Sequence, residues 1–178
     1  MTIAWLVLLV IVVALLAAWM SWTANRLDRL HHRVDVAHVE LHLVMLRRSG
    51  AAAELASAEE LDPASRLLLY DAAHQARTED SSEFEVAESA LSQVLRQVLD
   101  AETCAELRAT PAGAEMLDEL ADLCRRVELA RRFHNDVVTS ARALRSRRRV
   151  RLFRLAGHAA PLRTVELDDV PPAALAAA

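Results

Sequence analysis

The chain has 178 residues and a formal charge of −4, and 53% of its residues are hydrophobic. This length leaves room for at most one domain beyond an N-terminal segment. Glycine and proline are scarce, with three and five residues. This scarcity favours helices and argues against both a β-sheet and a glycine-lined nucleotide site. The small net charge indicates no particular partner, and all 21 basic residues are arginine.

The first stretch of the chain has the composition of a membrane span. Residues 3–22 contain no charged side chain and are mostly leucine, valine, isoleucine and alanine. About 20 helical residues cross a hydrocarbon core of about 30 Å. Tryptophans suit the membrane interface, and three lie near the two ends of this stretch: Trp5, Trp19 and Trp22. A cleaved signal peptide would need a basic start and a shorter apolar core. We therefore predict an uncleaved anchor over residues 1–24 that contacts the lipid bilayer through residues 3–22.

The arginines on either side of this segment predict its orientation. None precedes it, and five follow it closely: Arg26, Arg29, Arg33, Arg47 and Arg48. The positive-inside rule then predicts a single-pass protein of the cell membrane, with its N-terminus outside and its C-terminal domain in the cytoplasm. The two cysteines, Cys104 and Cys124, lack the spacing of a metal site. Reduced thiols agree with a cytoplasmic domain.

Apolar residues spaced three and four apart predict long helices after the span. The first continues from the anchor to Gly50 or to the alanine-rich turns before Glu59, with one apolar seam: Leu27, Leu30, Val34, Ala37, Leu41 and Val44. The second begins at Asp62-Pro63, an acid that can cap a helix followed by a proline suited to its first position. Its inner face is expected to comprise Leu67, Tyr70, Ala73, His74 and Arg77.

A polar patch at residues 78–82 either interrupts the second helix or kinks it before its end near Leu99. A short helical segment over residues 100–109 then leads to the longest helix, from Pro111 to about Arg149, which Thr110 can cap. Its seam is the longest in the chain: Met116, Leu120, Leu123, Val127, Ala130, His134, Val137, Ala141 and Leu144.

These segments predict an all-α protein. Its architecture is an N-terminal transmembrane helix followed by an elongated antiparallel up-down-up bundle of three to four helices. The bundle is assigned to residues 25–155. Residues 156–178 lack periodicity and are expected to form a partly disordered tail. In this topology the arginine-rich end of the last long helix lies roughly 50 Å from the membrane.

Two strings in the chain resemble the LemA family. The first is residues 30–55 (LHHRVDVAHVELHLVMLRRSGAAAEL), especially Arg33-Val34, Val39 and Leu46-Arg47-Arg48, and the second is residues 130–138 (ARRFHNDVV). A weaker match runs from Leu152-Phe153 to Leu167, so that the resemblance covers about residues 20–168. It implies a membrane span, a mainly helical cytoplasmic domain and no settled molecular role. His134 in place of the family's usual tyrosine, and the arginine-rich stretch from Arg145 to Arg154, indicate a divergent member.

The second string contains residues suited to set the register of the bundle: Arg131, Arg132, Phe133, His134, Asn135 and Asp136. His134 is either a pH-sensitive switch or a buried ring with a hydrogen-bond partner across the bundle. We favour the buried ring, because buried polar groups generally have partners. Asn135 and Asp136 are placed to pair with Arg131 or Arg132 one turn back. Such polar pairs can define helix register.

A second group of polar residues occupies a narrow sector of the predicted first helix: His31, Asp35, His38 and His42. His38 and His42 are four residues apart, a spacing at which two imidazoles can ligate zinc. The zincin pattern needs a glutamate directly after the first histidine, and Val39 stands there. We therefore favour a solvated helix flank and predict neither a metal nor another cofactor.

The strongest charge cluster lies at the end of the longest helix: Arg142, Arg145, Arg147, Arg148, Arg149, Arg151 and Arg154. It could bind anionic lipid or nucleic acid. The predicted distance argues against the protein's own membrane, and Phe153 is the one aromatic residue within the cluster, so we expect no nucleic-acid binding. A third interpretation is that these cations complement a helix C-terminus, with Glu166, Asp168 and Asp169 folding back onto them.

No catalytic constellation accompanies these features, so the sequence predicts a protein that is not an enzyme. The first hypothesis is a membrane-anchored helical scaffold or interaction protein of the LemA type, acting through a protein partner or through self-association. One alternative is a membrane-tethered, metal-dependent protein that uses the face of His31, Asp35, His38 and His42. The other is a binder of nucleic acid or an anionic ligand through Arg142 to Arg154.

Overall fold

The computed structural model describes residues 2–78, 83–146 and 162–176, and these residues are mostly helical and contain no strand. The prediction of an all-α fold is confirmed. In chain order the helices are α1 (Thr2–Leu55), α2 (Pro63–Thr78), α3 (Phe84–Val98), α4 (Ala101–Arg108), α5 (Pro111–Arg145) and the single turn α6 (Ala173–Ala176).

Helix α1 begins in the apolar segment and continues without a break to Leu55. No proline lies within it, and its one glycine, Gly50, comes five residues before its end. Within the described ranges, α1 is the one helix long and apolar enough to cross a membrane. In its N-terminal apolar segment the large side chains are exposed; Ile3 is 76% exposed and Leu15 is 66% exposed. By length and composition this segment is a candidate membrane span.

The chain forms two compact units, and both α1 and α5 contribute to each. Unit 1 comprises residues 1–37 and 135–164, and unit 2 comprises residues 38–134 and 165–178. Unit 2 contains the main hydrophobic core, to which each of the six helices contributes buried side chains, among them Ala52, Leu55, Leu69, Ala73, Leu91, Leu95, Leu107, Leu117, Leu120 and Leu175. Of the predicted seam residues, Val34, Ala37, Leu41 and Val44 of α1 are buried, and so are six of the nine in α5: Leu120, Leu123, Val127, His134, Ala141 and Leu144.

Helices α2 and α3 pack against each other, so the middle of the chain makes two passes instead of one. Residues of α1 and α5 meet in reverse order, because Leu55 shares a cluster with Leu117 and Leu41 shares one with Val127. The predicted helical bundle is confirmed, but its order in unit 2 is up-down-up-down. The physical reason is that α2 ends at Thr78 and α3 runs back from Phe84, whereas periodicity alone allowed a single kinked helix.

The predicted inner face of α2 was wrong at most positions. Leu67 is 71% exposed and Tyr70 is 55% exposed, while the buried residues are Leu69, Ala72 and Ala73. The run of apolar residues at positions 67–70 is compatible with several faces. Packing against α3 selects the face with two alanines, because small side chains allow two helices to approach closely.

Side chains predicted to cap two helices do so. The Asp62 Oδ1 accepts hydrogen bonds from the backbone N–H groups of Ala64 and Ser65 at 2.9 and 3.1 Å. The Thr110 Oγ1 accepts one from the Gly113 N–H at 3.2 Å. Gly113 is required for close packing between α4 and α5, since a Cβ there would lie 2.2 Å from the carbonyl oxygen of Leu107.

The described part of the C-terminal tail, residues 162–176, differs from the expected partly disordered segment. Val165 is buried against Leu41 and Val127, and Leu175 enters the main core. The predicted pairing of the tail with the arginine cluster was wrong for Asp168 and Asp169, which bind Arg96 of α3 and Arg131 of α5. A segment without periodicity is thus held by individual ion pairs and apolar contacts.

Unit 1 has a small core of its own, in which Val34 of α1 packs against Val138 and Ala141 of α5. Its α5 segment also runs antiparallel to α1, and Leu144 borders the same groove as Arg26. The prediction that this end of α5 lies far from the membrane-facing end of α1 was therefore wrong for Arg142, because the additional pass reverses α5. Residues 147–154 of the predicted cluster lie outside the described residues.

The burial of Leu91 in the core of unit 2 predicts how its truncation affects the free energy of unfolding. Replacing Leu91, which is 0% exposed, by alanine should lower the free energy of unfolding by about 2–5 kcal/mol, because it leaves a cavity. The measurement is urea unfolding of the full-length protein in detergent, followed by circular dichroism. Val86→Ala on the same helix is the control, since Val86 is exposed and the change should stay within about 0.5 kcal/mol. Equal losses in both variants would contradict the assigned face of α3.

Candidate functional site

An arginine lies in the middle of the unit 2 core. Arg48 of α1 is 1% exposed, although its neighbours on the same face of the helix are apolar. Its Nη2 donates to the Oε2 of Glu88 at 2.5 Å and to the backbone carbonyl of Glu88 at 3.1 Å. Its Nη1 donates to the Oγ of Ser92 at 3.0 Å. The guanidinium thus holds together α1 and two successive turns of α3.

Glu88 and Ser92 lie four residues apart, which places them on one face of α3. Glu88 is also buried, and the Ser92 hydroxyl donates to the Glu88 carbonyl at 3.2 Å. Burial raises the pKa of the Glu88 carboxyl above its ordinary value, and the attraction of Arg48 limits the rise. Burial therefore opposes the charge on Glu88, and Arg48 is the group that favours it.

Cys124 of α5 also belongs to this buried polar cluster, where it lies close to Arg48. Burial raises the pKa of its thiol, while the nearby charge and hydrogen bond of Arg48 lower it. A buried thiol with a raised pKa is a poor nucleophile. Since the side chains of Arg48 and Glu88 are only 1% and 3% exposed, the cluster has no surface at which a solute could react. The cluster therefore stabilises the packing of α1 against α3.

Sequence reasoning missed this cluster. It assigned Arg48 only to the charge that follows the span and to the family resemblance, and it did not single out Glu88 or Ser92. A signal was present nevertheless. Arg48 stands four residues after Val44 on the buried stripe of α1, and Glu88 stands between Ala87 and Leu91 on the buried part of α3. Opposite charges within two apolar stripes are the pattern expected of a buried ion pair.

His134 is 2% exposed, which agrees with its predicted place in the seam. Its ring lies 5.5 Å from that of His38 across the bundle, at an interplanar angle of 51°. Position 134 therefore links α5 to α1 within unit 2.

The other residues of the predicted register group have separate roles. Arg131 binds Asp169 through two hydrogen bonds, of 2.6 and 3.0 Å, and so ties the tail to α5. Arg132 pairs with Glu128 one turn earlier on α5. Because both arginines bind other carboxylates, the predicted pairing with Asp136 was wrong, and Asp136 is exposed. Phe133 also faces outwards, with 62% of its surface exposed, and Asn135 is half-buried.

The four candidate metal ligands do not form a ligand set. Among the described residues there is no group of three or more histidine, cysteine, aspartate or glutamate side chains that could hold a metal ion. His38 contacts His134, and His42 lies edge-on to Phe84 with 6.5 Å between ring centroids. His31 is half-buried and Asp35 is exposed.

The basic cluster is described at two of its members. The Arg142 guanidinium donates to the carbonyl of Leu162 at 2.6 and 2.8 Å, and Arg145 is half-buried at the end of α5. The remaining arginines lie outside the described residues: Arg147, Arg148, Arg149, Arg151 and Arg154.

Comparison of the chain with protein-family models, with curated proteins and with solved structures finds no match. The resemblance to the LemA family therefore stays a prediction from the two strings of residues that carry it.

The buried ion pair predicts different effects for two adjacent arginines. Arg48→Met should lower the free energy of unfolding by about 3–5 kcal/mol, because it leaves Glu88 buried without a counter-ion. Arg47→Met is the matched control and should change it by less than about 0.5 kcal/mol, since Arg47 is exposed. The double variant Arg48→Met/Glu88→Leu should recover most of the loss. Urea unfolding at neutral pH checks all three, and an equal loss from Arg47→Met would contradict the assignment.

The raised pKa of Glu88 predicts the sign of a pH effect. Above pH 4.5, the ordinary value, the unfolded chain releases this proton while the folded chain retains it. The contribution of Glu88 to the free energy of unfolding should therefore be full below this pH, fall as the pH rises to the raised pKa, and stay constant beyond it. The measurement is the difference in unfolding free energy between wild type and Glu88→Gln, from about pH 4 to about pH 8. The free energy of unfolding of the wild type should fall relative to that of Glu88→Gln as the pH rises. A rise relative to the variant would contradict the raised pKa of Glu88.

Proposed function

We propose that this protein is a single-pass, membrane-anchored helical scaffold that holds a protein partner, or a second copy of itself, at the membrane surface. The continuity of α1 supports this proposal, because one helix contains the apolar segment and also Arg48 of the unit 2 ion pair. A partner bound to α1 would therefore be bound to the helix that contains the candidate span.

One observation carries the scaffold proposal: in unit 2, α1 has apolar side chains on two opposite faces. The inner face, with Leu41, Val44 and Met45, is buried in the core. The outer face consists of Val39, Leu43 and Leu46, which are 66%, 38% and 42% exposed. Their spacing of four and three residues makes a continuous stripe, as in helices that pair with another helix. Contiguous exposed apolar surface of this kind marks interaction sites.

The proposed location is the cell membrane, with the N-terminus outside and the helical domain in the cytoplasm. The support is the group of arginines that directly follows the apolar segment, with Arg26 as the first. Both cysteines are free and buried, which agrees with a reducing compartment. Membership of the LemA type belongs to this proposal and rests on the resemblance alone.

The proposal includes no catalytic activity. Its support is the inaccessibility of the buried polar cluster, whose Arg48 and Glu88 are occupied by each other. The alternative of a metal-dependent protein has no supporting observation, because the rings of His38 and His42 contact His134 and Phe84.

The test is photo-crosslinking of the full-length protein in its native membrane. The chain contains no lysine, so a photoreactive amino acid at Val39 is preferable to amine-directed reagents. We expect an adduct of defined mass from this position and none from Asp71, which is exposed on α2. Its mass separates a second copy from another protein.

A charge within the stripe supplies the specificity control. Leu43→Glu should reduce the yield of the adduct at least about tenfold, because a carboxylate would have to be buried in the apolar contact. Leu67→Glu, the same change at an exposed position of α2, should leave the adduct in place. The scaffold proposal fails if Val39 gives no adduct, or if Leu43→Glu and Leu67→Glu behave alike.

A further inference from the structure

The last turns of α5 and the part of α1 that follows the apolar segment border a groove in unit 1. We propose that this groove binds the phosphate headgroup of an anionic phospholipid from the membrane into which α1 inserts. The inference rests on the proposed membrane anchor and adds a specific ligand to it. It concerns a surface separate from the apolar stripe of α1 in unit 2.

Three arginines give the groove its charge. Arg26, Arg29 and Arg33 follow one another at three and four residues, so they lie along one side of α1 and line the groove together. Within the described part of the chain, no carboxylate is ion-paired with any of the three, and no aspartate or glutamate lines the groove. The charge available there is therefore suited to an anion from outside the protein.

The groove lies at the height expected for lipid headgroups. Trp22 closes its end nearest the apolar segment, and the Arg26 guanidinium lies over the Trp22 ring, 5.7 Å from the centroid. Along the helix axis Arg26 is about 6 Å beyond Trp22, since each residue rises about 1.5 Å. The headgroup region of one leaflet is also about 5–7 Å thick. An indole at the interface thus places the first arginine among the phosphates.

The opposite wall favours a lipid over a free phosphate ion. On this wall Ser140 of α5 offers a hydroxyl donor, and Ala143 and Leu144 are apolar; Leu30 of α1 adds apolar surface beside the arginines. The volume of about 620 Å³ exceeds the needs of a phosphate ion alone. An apolar wall beside a cationic one matches the glycerol and upper acyl chain of a phospholipid next to its phosphate.

The reversed direction of α5 makes this site possible. In the predicted up-down-up order, α5 would end far from the membrane and α1 would present its arginines alone. In the structure Leu144 of α5 borders the groove with Arg26. Arg142 donates to the carbonyl of Leu162, and the arginines that line the groove all belong to α1.

The experiment uses the full-length protein in nanodiscs of phosphatidylcholine containing a minor fraction of phosphatidylglycerol. Native mass spectrometry after release into detergent counts the lipids that remain bound. Wild type should retain about one phosphatidylglycerol per chain and discriminate against phosphatidylcholine. The variant Arg26→Gln/Arg29→Gln/Arg33→Gln should weaken this retention at least about tenfold.

Two further variants separate a site from general attraction to a charged surface. Arg47→Gln/Arg125→Gln/Arg132→Gln removes the same charge from exposed positions of unit 2 and should keep the lipid. Ala143→Trp leaves the charge unchanged but fills the groove, and it should lose the lipid while circular dichroism shows an unchanged helix content. Equal losses in the two triple variants, or full retention by Ala143→Trp, would overturn the proposal.

Two further measurements distinguish a lipid from a soluble phosphate and test membrane insertion separately. If glycerol 3-phosphate in solution binds as tightly as phosphatidylglycerol, the site takes a soluble anion and the lipid proposal is wrong. Carbonate extraction scores membrane insertion separately. Wild type that stays inserted yet retains no phosphatidylglycerol overturns the lipid site and leaves the scaffold standing, whereas wild type that is extracted overturns both.

Discussion

The structure of unit 2 depends on the pairing of one buried arginine with one buried glutamate. Removing a charge from water costs several kcal/mol even after the surroundings relax, unless a partner charge and hydrogen bonds offset the cost. Arg48 and Glu88 are both almost fully buried, and the charge of each offsets the desolvation cost of the other. Leucine and alanine stripes can slip by a turn at moderate cost, because one apolar contact replaces another. A slip that separates these charges has no such compensation, and the pair therefore sets the register of α1 against α3.

The same constraint explains how the remaining chain is arranged in unit 2. With α1 and α3 in register, α2 runs antiparallel between them in the chain order and α5 is the fourth helix of the bundle. The tail packs against these helices through Val165 and Leu175. The tail is attached by directional contacts, Arg96 with Asp168 and Arg131 with Asp169, beside buried Val165 and Leu175. Polar pairs thus define positions, while apolar burial supplies most of the stabilisation.

Helix α1 combines three surfaces of different chemistry along its length. Its first part is apolar and exposed, its arginines line a groove in unit 1, and its last part has a buried face and an exposed apolar stripe. Each surface suits a different neighbour: hydrocarbon, phosphate and another helix. This division supports a protein that works by binding and positioning, with its polar core reserved for stability. Under the proposed function, anchoring and assembly would depend on separate faces of this helix.

The sequence by itself determined the helical class, the candidate span, the starts of α2 and α5 and the inner faces of α1 and α5. These features follow from composition, local capping and periodicity, which act between residues close in the chain. Only the tertiary structure decided the face of α2, the reversal after Thr78, the partner of Arg48 and the packing of the tail. Those depend on contacts between distant residues, such as Arg48 with Glu88, that no local pattern specifies. The groove of Arg26, Arg29 and Arg33 belongs to the second group, because its other wall is the end of a helix more than a hundred residues later in the chain.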